Sequence, residues 1–161
     1  MITRKELEAL AKNEEIQKSK VAYQVSGAEM KAFEKSALLL ASMIGDRKFL
    51  FEKENGLRSM AAYEALEEVC QISTTTMKKS INGTLKITRQ FLYKFTVGLK
   101  MTPDEANKYF ALCGGELNEQ WGEDYICLKA LLDKDDVYQL IEEFDTYRNI
   151  KLGLRERNDA K

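Results

Sequence analysis

Apolar residues in this chain recur at three- and four-residue spacing and nowhere alternate long enough to make a strand. That periodicity confines the fold to packed helices. One proline and nine glycines leave few breaks in 161 residues, and Leu, Ala, Glu and Lys abound, which favours helices further. The expected class is all-α, a compact helical bundle. A hydrophobic share of 44% is enough for a globular core.

Cap signals divide the pattern. Thr3 with Glu6 makes a capping box ahead of Leu7, Leu10 and Ala11, giving a helix to about Lys18. Ser26 with Glu29 repeats the device, and a second helix carries Met30, Phe33, Ala37, Leu38, Leu40 and Ala41 to a stop at Gly45. Asp46 caps a third, bearing Phe49, Leu50 and Phe51 and ending at Asn55-Gly56. From Ser59, the positions Ala62, Leu66, Val69 and Cys70 share one face. Ser73 caps a short helix over 74–81, closed by Asn82-Gly83, and Thr88 caps the next, with Phe91, Leu92, Phe95 and Leu99 inward. Thr102-Pro103-Asp104-Glu105 is the clearest start signal in the chain, opening a helix that runs to Gly114-Gly115. Two more are expected over 124–132 and 136–147, with an inward stripe of Ile126, Leu128, Leu131, Val137, Leu140, Ile141 and Phe144. The tail from Leu154 reads as polar and frayed.

Several function classes drop out. The chain has no histidine, which removes Ser-His and Cys-His nucleophile pairs and His-ligated metal sites. It has no Gly-rich phosphate loop. The cluster Asp133-Lys134-Asp135-Asp136 lacks the third ligand position and the glycine of a calcium loop, and reads as a solvated helix start. Cys70, Cys113 and Cys127 are odd in number and lie among apolar neighbours, as buried reduced thiols do. The polar start of the chain does not read as a signal peptide, and its longest apolar run, 37–44, is too short to span a bilayer. A cytoplasmic protein without catalytic, cofactor-binding or metal-binding residues is expected.

Charge is segregated. Between 73 and 100 stand Lys78, Lys79, Lys86, Arg89, Lys94 and Lys100 without one acid, while 101–147 carries a net charge of minus nine. A basic, acid-free stretch suits a polyanion, because phosphate contacts supply most non-specific DNA affinity.

The run from Ile72 through Ser73-Thr74-Thr75-Thr76-Met77-Lys78-Lys79-Ser80-Ile81-Asn82-Gly83 to Arg89 resembles the recognition helix and following loop of phage-repressor-like (lambda-repressor/Cro-type) helix-turn-helix domains. The stretch from Phe91 to Leu99 looks like the fourth helix of that fold, and Met101-Thr102-Pro103-Asp104-Glu105-Ala106 like the start of its fifth. The resemblance covers roughly 46–115 and is sharpest over 72–106. Cys70-Gln71-Ile72 stands where such domains usually carry a turn glycine. It implies an N-terminal helical extension (1–45), a helix-turn-helix domain (46–115) and acidic C-terminal helices with a tail (116–161).

Met77 and Ile81, four apart, anchor the short helix, which leaves Thr74, Thr75, Lys78 and Lys79 on or near its outer face. With Ser73 they are the expected contacts at a major groove; by the resemblance, Asn82, Lys86, Thr88 and Arg89 grip the DNA backbone. The expectation is a sequence-specific double-stranded DNA-binding regulator of repressor type, pairing with itself as a homodimer. The alternative is a non-catalytic protein-binding module, such as a phage-type inhibitor or antitoxin, with the helix-turn-helix as scaffold.

Overall fold

The computed structural model describes residues 2–18 and 27–159, with side chains for 2–13 and 34–157. Among the described residues the chain is all-helical, with eight helices in a compact bundle and no strand. They are α1 (Arg4–Lys18), α2 (Gly27–Asn55), α3 (Ser59–Cys70), α4 (Thr74–Ile81), α5 (Arg89–Gly98), α6 (Pro103–Phe110), α7 (Gly122–Asp133) and α8 (Val137–Asp159). No described helix is long and apolar enough to cross a membrane.

The caps expected for α4, α5 and α6 are made. Ser73, Thr88 and Thr102 each accept a hydrogen bond from a backbone N–H three residues on, with Pro103 in the first turn of α6. Thr3 does the same for α1 through the Glu6 N–H. Ser26 and the side chains of Glu29, Met30 and Phe33 lie outside the described residues.

α5 is the centre of the core. Phe91, Leu92, Tyr93, Phe95, Thr96 and Val97 are all buried, so this helix is covered on nearly every side by α3, α6, α7 and α8. The Tyr93 ring lies 5.5 Å from that of Phe110 on α6 and 5.3 Å from that of Phe144 on α8, and Phe95 lies 5.9 Å from Tyr109. Thr96 satisfies its buried hydroxyl by donating back to Leu92 O at 2.7 Å. Inward positions Ala62, Leu66 and Cys70 join α3 to this core, whereas Val69 is 40% exposed, against expectation. The three cysteines are free; Cys70 and Cys127 are buried, and burial pushes the Cys70 thiol up to about 12.

Three expected boundaries shift. The helix expected to stop at Gly45 runs on, so 27–55 is one helix. Gly45 sits where α2 passes α4, and a Cβ there would lie 3.3 Å from the Ile81 side chain; the glycine marks a close approach and not a stop. α2 buries Leu40, Ala41, Ile44 and Phe51, while Leu38, Phe49 and Leu50 face out. The helix from Pro103 becomes a series of turns after Phe110. The tail from Leu154 stays helical to Asp159, because α1 packs along α8 and Leu154 and Ile150 rest against the core.

The start of α1 is seated on α8 by Ile2, Leu7, Leu10 and Ala11. Beneath it Glu143 is buried, accepting from Gln139 Nε2 at 3.0 Å. Burial raises the Glu143 pKa; Gln139 and the Ile2 backbone N–H oppose that, and Asp135 adds to it.

Two predictions follow from this packing. Backbone packs closely at Gly98, where a Cβ would stand 2.7 Å from Cys70 Sγ and from Val69 O. Gly98→Ala is therefore expected to destabilise by at least about 2 kcal/mol through overpacking. Gly45→Ala is expected to stay within about 1 kcal/mol of the parent, since helix propensity offsets the mild crowding. Urea denaturation distinguishes the two; a large loss at Gly45 would contradict a continuous α2. For Glu143, a raised folded-state pKa means the charged carboxylate costs stability at neutral pH. That cost disappears as pH falls through the folded value to the ordinary 4.5. Glu143→Gln should raise the melting temperature at pH 7 and lose its advantage below about pH 4.5.

Candidate nucleic-acid interface

α3 and α4 are joined by three residues, Gln71 to Ser73. Gln71 takes the left-handed conformation (φ 54°, ψ 40°) that a glycine adopts without strain. Its backbone N–H donates to Glu67 O, and its side-chain amide donates to Glu68 O at 2.9 Å and to the Tyr138 hydroxyl at 2.8 Å. The side chain thus fixes the turn to the end of α3 and to the start of α8, which helps a non-glycine residue hold this geometry.

α4 turns Met77 and Ser80 into the core. Thr75, Lys78, Lys79 and Asn82 are exposed, and their spacing places them on one outward face. Asn82 ends the helix, and its Oδ1 accepts from Thr84 N at 2.9 Å, which shapes the loop leading to exposed Lys86. Lys78 lies over the Tyr63 ring at 5.1 Å, with Lys48 of α2 over the same ring at 4.1 Å. Lys48 is also paired with Glu52. Among the described residues no salt bridge engages Lys78, Lys79 or Lys86.

Other expected contacts are occupied within the fold. Ser73 Oγ accepts from Thr76 N at 3.1 Å and its hydroxyl donates to Thr76 Oγ1 at 2.9 Å. The Thr74 hydroxyl donates to Glu67 Oε2 at 2.9 Å, and Thr88 Oγ1 accepts from Phe91 N at 3.1 Å.

Arg89 is a correction. Expected to grip the DNA backbone, it is turned inward. Its Nη2 reaches Asp124 Oδ2 at 2.6 Å, its Nε reaches Asp124 Oδ1 at 3.3 Å, and its Nη1 donates to the carbonyls of Cys113 and Gly115 at 2.6 and 2.8 Å. Its guanidinium also lies 4.9 Å from the Phe110 ring. Burial works against its charge, but Asp124 and Tyr93 outweigh that and hold its pKa above the usual value. Asp124 accepts further bonds from the Tyr93 hydroxyl and from Asn118 N. Burial and the neighbouring carboxylate push the Tyr93 phenol up.

Lys100 also leaves the basic surface. It donates to Lys134 O and Asp135 O at 2.8 Å each, while Lys134 Nζ returns to Lys100 O at 3.2 Å. Each of these two lysines, both with positive φ, caps the helix end at which the other stands.

Three carboxylates that sequence reasoning passed over bear on this surface. Glu64, Glu67 and Glu68 line an open cleft of about 500 Å³ with Gln71 and Ser73, at the head of α4. They oppose any anion at that helix N-terminus. The only signal for them in the sequence is their place at the end of the helix before the turn. No family model, curated protein or solved structure matches the chain.

Because Arg89 and Asp124 are largely withdrawn from solvent and saturate one another, Arg89→Ala is expected to cost about 3 kcal/mol by leaving a buried carboxylate uncompensated. Chemical denaturation measures this. A loss below about 0.5 kcal/mol, the value of an exposed pair, would contradict the structural role.

Proposed function

We propose that the chain is a non-catalytic, double-stranded DNA-binding protein of regulatory type that reads DNA with α4. The observation that carries this reading is the exposed stripe Thr75, Lys78, Lys79 and Asn82, continued by Lys86, on a short helix whose opposite face is anchored in the core. The lysines there have no acidic partner among the described residues, so a phosphate backbone would supply one. The glutamates beside Ser73 shift the expected footprint away from the head of α4, toward its middle and the loop at 82–86. Within that footprint Lys86 and Asn82 hold phosphates, and Thr75 and Lys79 meet base edges. Arg89, Lys100, Ser73, Thr74 and Thr88 support the fold.

A second reading is a protein-binding module. It is favoured by a cleft of about 760 Å³ between α2 and the loops before α5 and after α6, lined by Ala37, Leu40, Ile87, Leu112 and Cys113. Its mostly apolar walls suit a protein segment better than a nucleic acid.

Fluorescence anisotropy with a pool of random duplexes separates the two. Affinity should fall at least about tenfold between 50 and 200 mM salt, through counterion release. Lys86→Ala should weaken all sequences alike, while Thr75→Ala and Lys79→Ala should change the preferred sequence by roughly 1–3 kcal/mol per lost contact. Absence of binding at low salt, or a flat salt response, would overturn the DNA reading in favour of the second.

A further inference from the structure

At about 100° per residue, the outward side chains of α4 do not all share one direction. Thr75 and Lys79 fall about 40° apart and straddle the direction opposite buried Met77. Lys78 stands at the edge of that face, about 100° from Lys79 and about 60° from Ile81, whose side chain passes Gly45 of α2. The lysine therefore leads toward the seam that α4 forms with α2 and α3.

That seam holds the ring of Tyr63, half-buried on α3 and packed against the core. Lys78 Nζ lies 5.1 Å from the ring centroid, and Lys48 Nζ of α2 lies 4.1 Å from it. The two ammonium groups differ in what balances them. Lys48 is part-buried and paired with Glu52. Lys78 is exposed and has no salt bridge among the described residues. Glu67, one turn along α3 from Tyr63, accepts the Thr74 hydroxyl at 2.9 Å instead. An aromatic face attracts an ammonium group without neutralising it, because the ring supplies a quadrupole and no counter-charge. It also restricts a long side chain that would otherwise sample many rotamers. Lys78 is thus a cation already placed, still charged, and open to water on the side away from the ring. An oxyanion completes such a site at little ordering cost.

We infer that Lys78, positioned by the Tyr63 ring, binds a phosphodiester of duplex DNA at the edge of α4. The inference rests on the DNA-binding reading and extends it to a residue of the preceding helix. A base edge at the centre of the face would draw the ammonium away from the ring, whereas a phosphate on the flank of the groove meets it where it stands. Lys78 and Asn82 are four apart and share one edge of α4, and Lys86 follows in the loop. The backbone-holding groups therefore lie to one side of the base-reading pair, Thr75 and Lys79. Tyr63 touches no DNA in this arrangement; it is a positioning residue.

Fluorescence anisotropy of the full chain with duplexes of several sequences, from about 50 to 200 mM salt, tests this. Lys78→Gln should weaken every duplex alike and lower the slope of log K against log salt by about 0.9, the value of one phosphate. Tyr63→Leu should weaken binding about threefold by freeing the lysine, and Tyr63→Phe should keep parental affinity because the ring face remains. In the Lys78→Gln background, Tyr63→Leu should change binding no further. In the free protein, the Lys78 methylene protons should be shifted upfield by the ring in the parent and in Tyr63→Phe, and not in Tyr63→Leu. A parent chain that binds no duplex overturns the DNA reading and this site with it. A parent that binds, with Lys78→Gln leaving the salt slope unchanged or altering the preferred sequence, overturns the site alone. Equal weakening by Tyr63→Leu with and without Lys78 overturns the positioning role of the ring.

Discussion

The arrangement of the bundle hangs on one buried carboxylate. Asp124, at the start of α7, accepts from both sides of the Arg89 fork, from the Tyr93 hydroxyl and from the backbone of Asn118. Through these contacts it joins the head of α7 and the loop just before it to the first turn of α5, 35 residues away in the chain. Arg89 extends the junction to the carbonyls of Cys113 and Gly115, which end the turns after α6. A buried charge is tolerable only when paired and fully hydrogen-bonded, and here partner and bonds come from different elements, so none of them shifts alone. With α5 held by this clip, its aromatic faces meet Phe110 and Phe144, and the rest of the core closes around them.

The same clip sorts the charges of the surface. The run of six cations between 73 and 100 looks uniform as a string, but it divides three ways. Arg89 is consumed by Asp124 and Lys100 by carbonyls at the end of α7, while Lys94 is half-buried on α5 and Lys78, Lys79 and Lys86 remain outward around α4. What survives is a smaller, sharper cationic stripe beside an acidic cleft. The acids at 133, 135, 136, 142 and 143 form no ion pair with that stripe among the described residues; Asp136 caps α8 through the Gln139 N–H and Glu143 is buried under α1. Segregation along the sequence became segregation in space only where no distant acid folded back onto a base.

α2 shows how a local signal is overruled. Gly45 followed by Asp46 has the form of a helix stop and a new cap, and in isolation it would serve as one. The chain continues as helix because Leu40, Ala41 and Ile44 before the glycine and Phe51 after it bury on one continuous face. A break would take Phe51 off that face. The close passage of Ile81 past Gly45 supplies the reason for a glycine there. The tail of α8 follows the same logic: polar by composition, it stays helical because α1 lies along it.

By itself the sequence determined the helical class, the boundaries of α1, α3, α4 and α5 nearly to the residue, and the caps Ser73, Thr88 and Thr102. These depend on interactions that span three or four residues, the range over which a side chain and its backbone partner are bound to meet. It also determined which face of α4 is inward, because Met77 and Ile81 leave no other choice. Tertiary structure alone decided that Arg89 turns inward, that Glu67 takes the Thr74 hydroxyl, that Gln71 holds a left-handed turn by reaching Tyr138, and that Leu38 and Phe49 face out. Each of those outcomes depends on a partner brought in from elsewhere in the fold, or on the lack of one: Asp124 lies 35 positions beyond Arg89 and Tyr138 lies 67 beyond Gln71. No periodicity in the string encodes such a meeting; it exists only once the helices have packed.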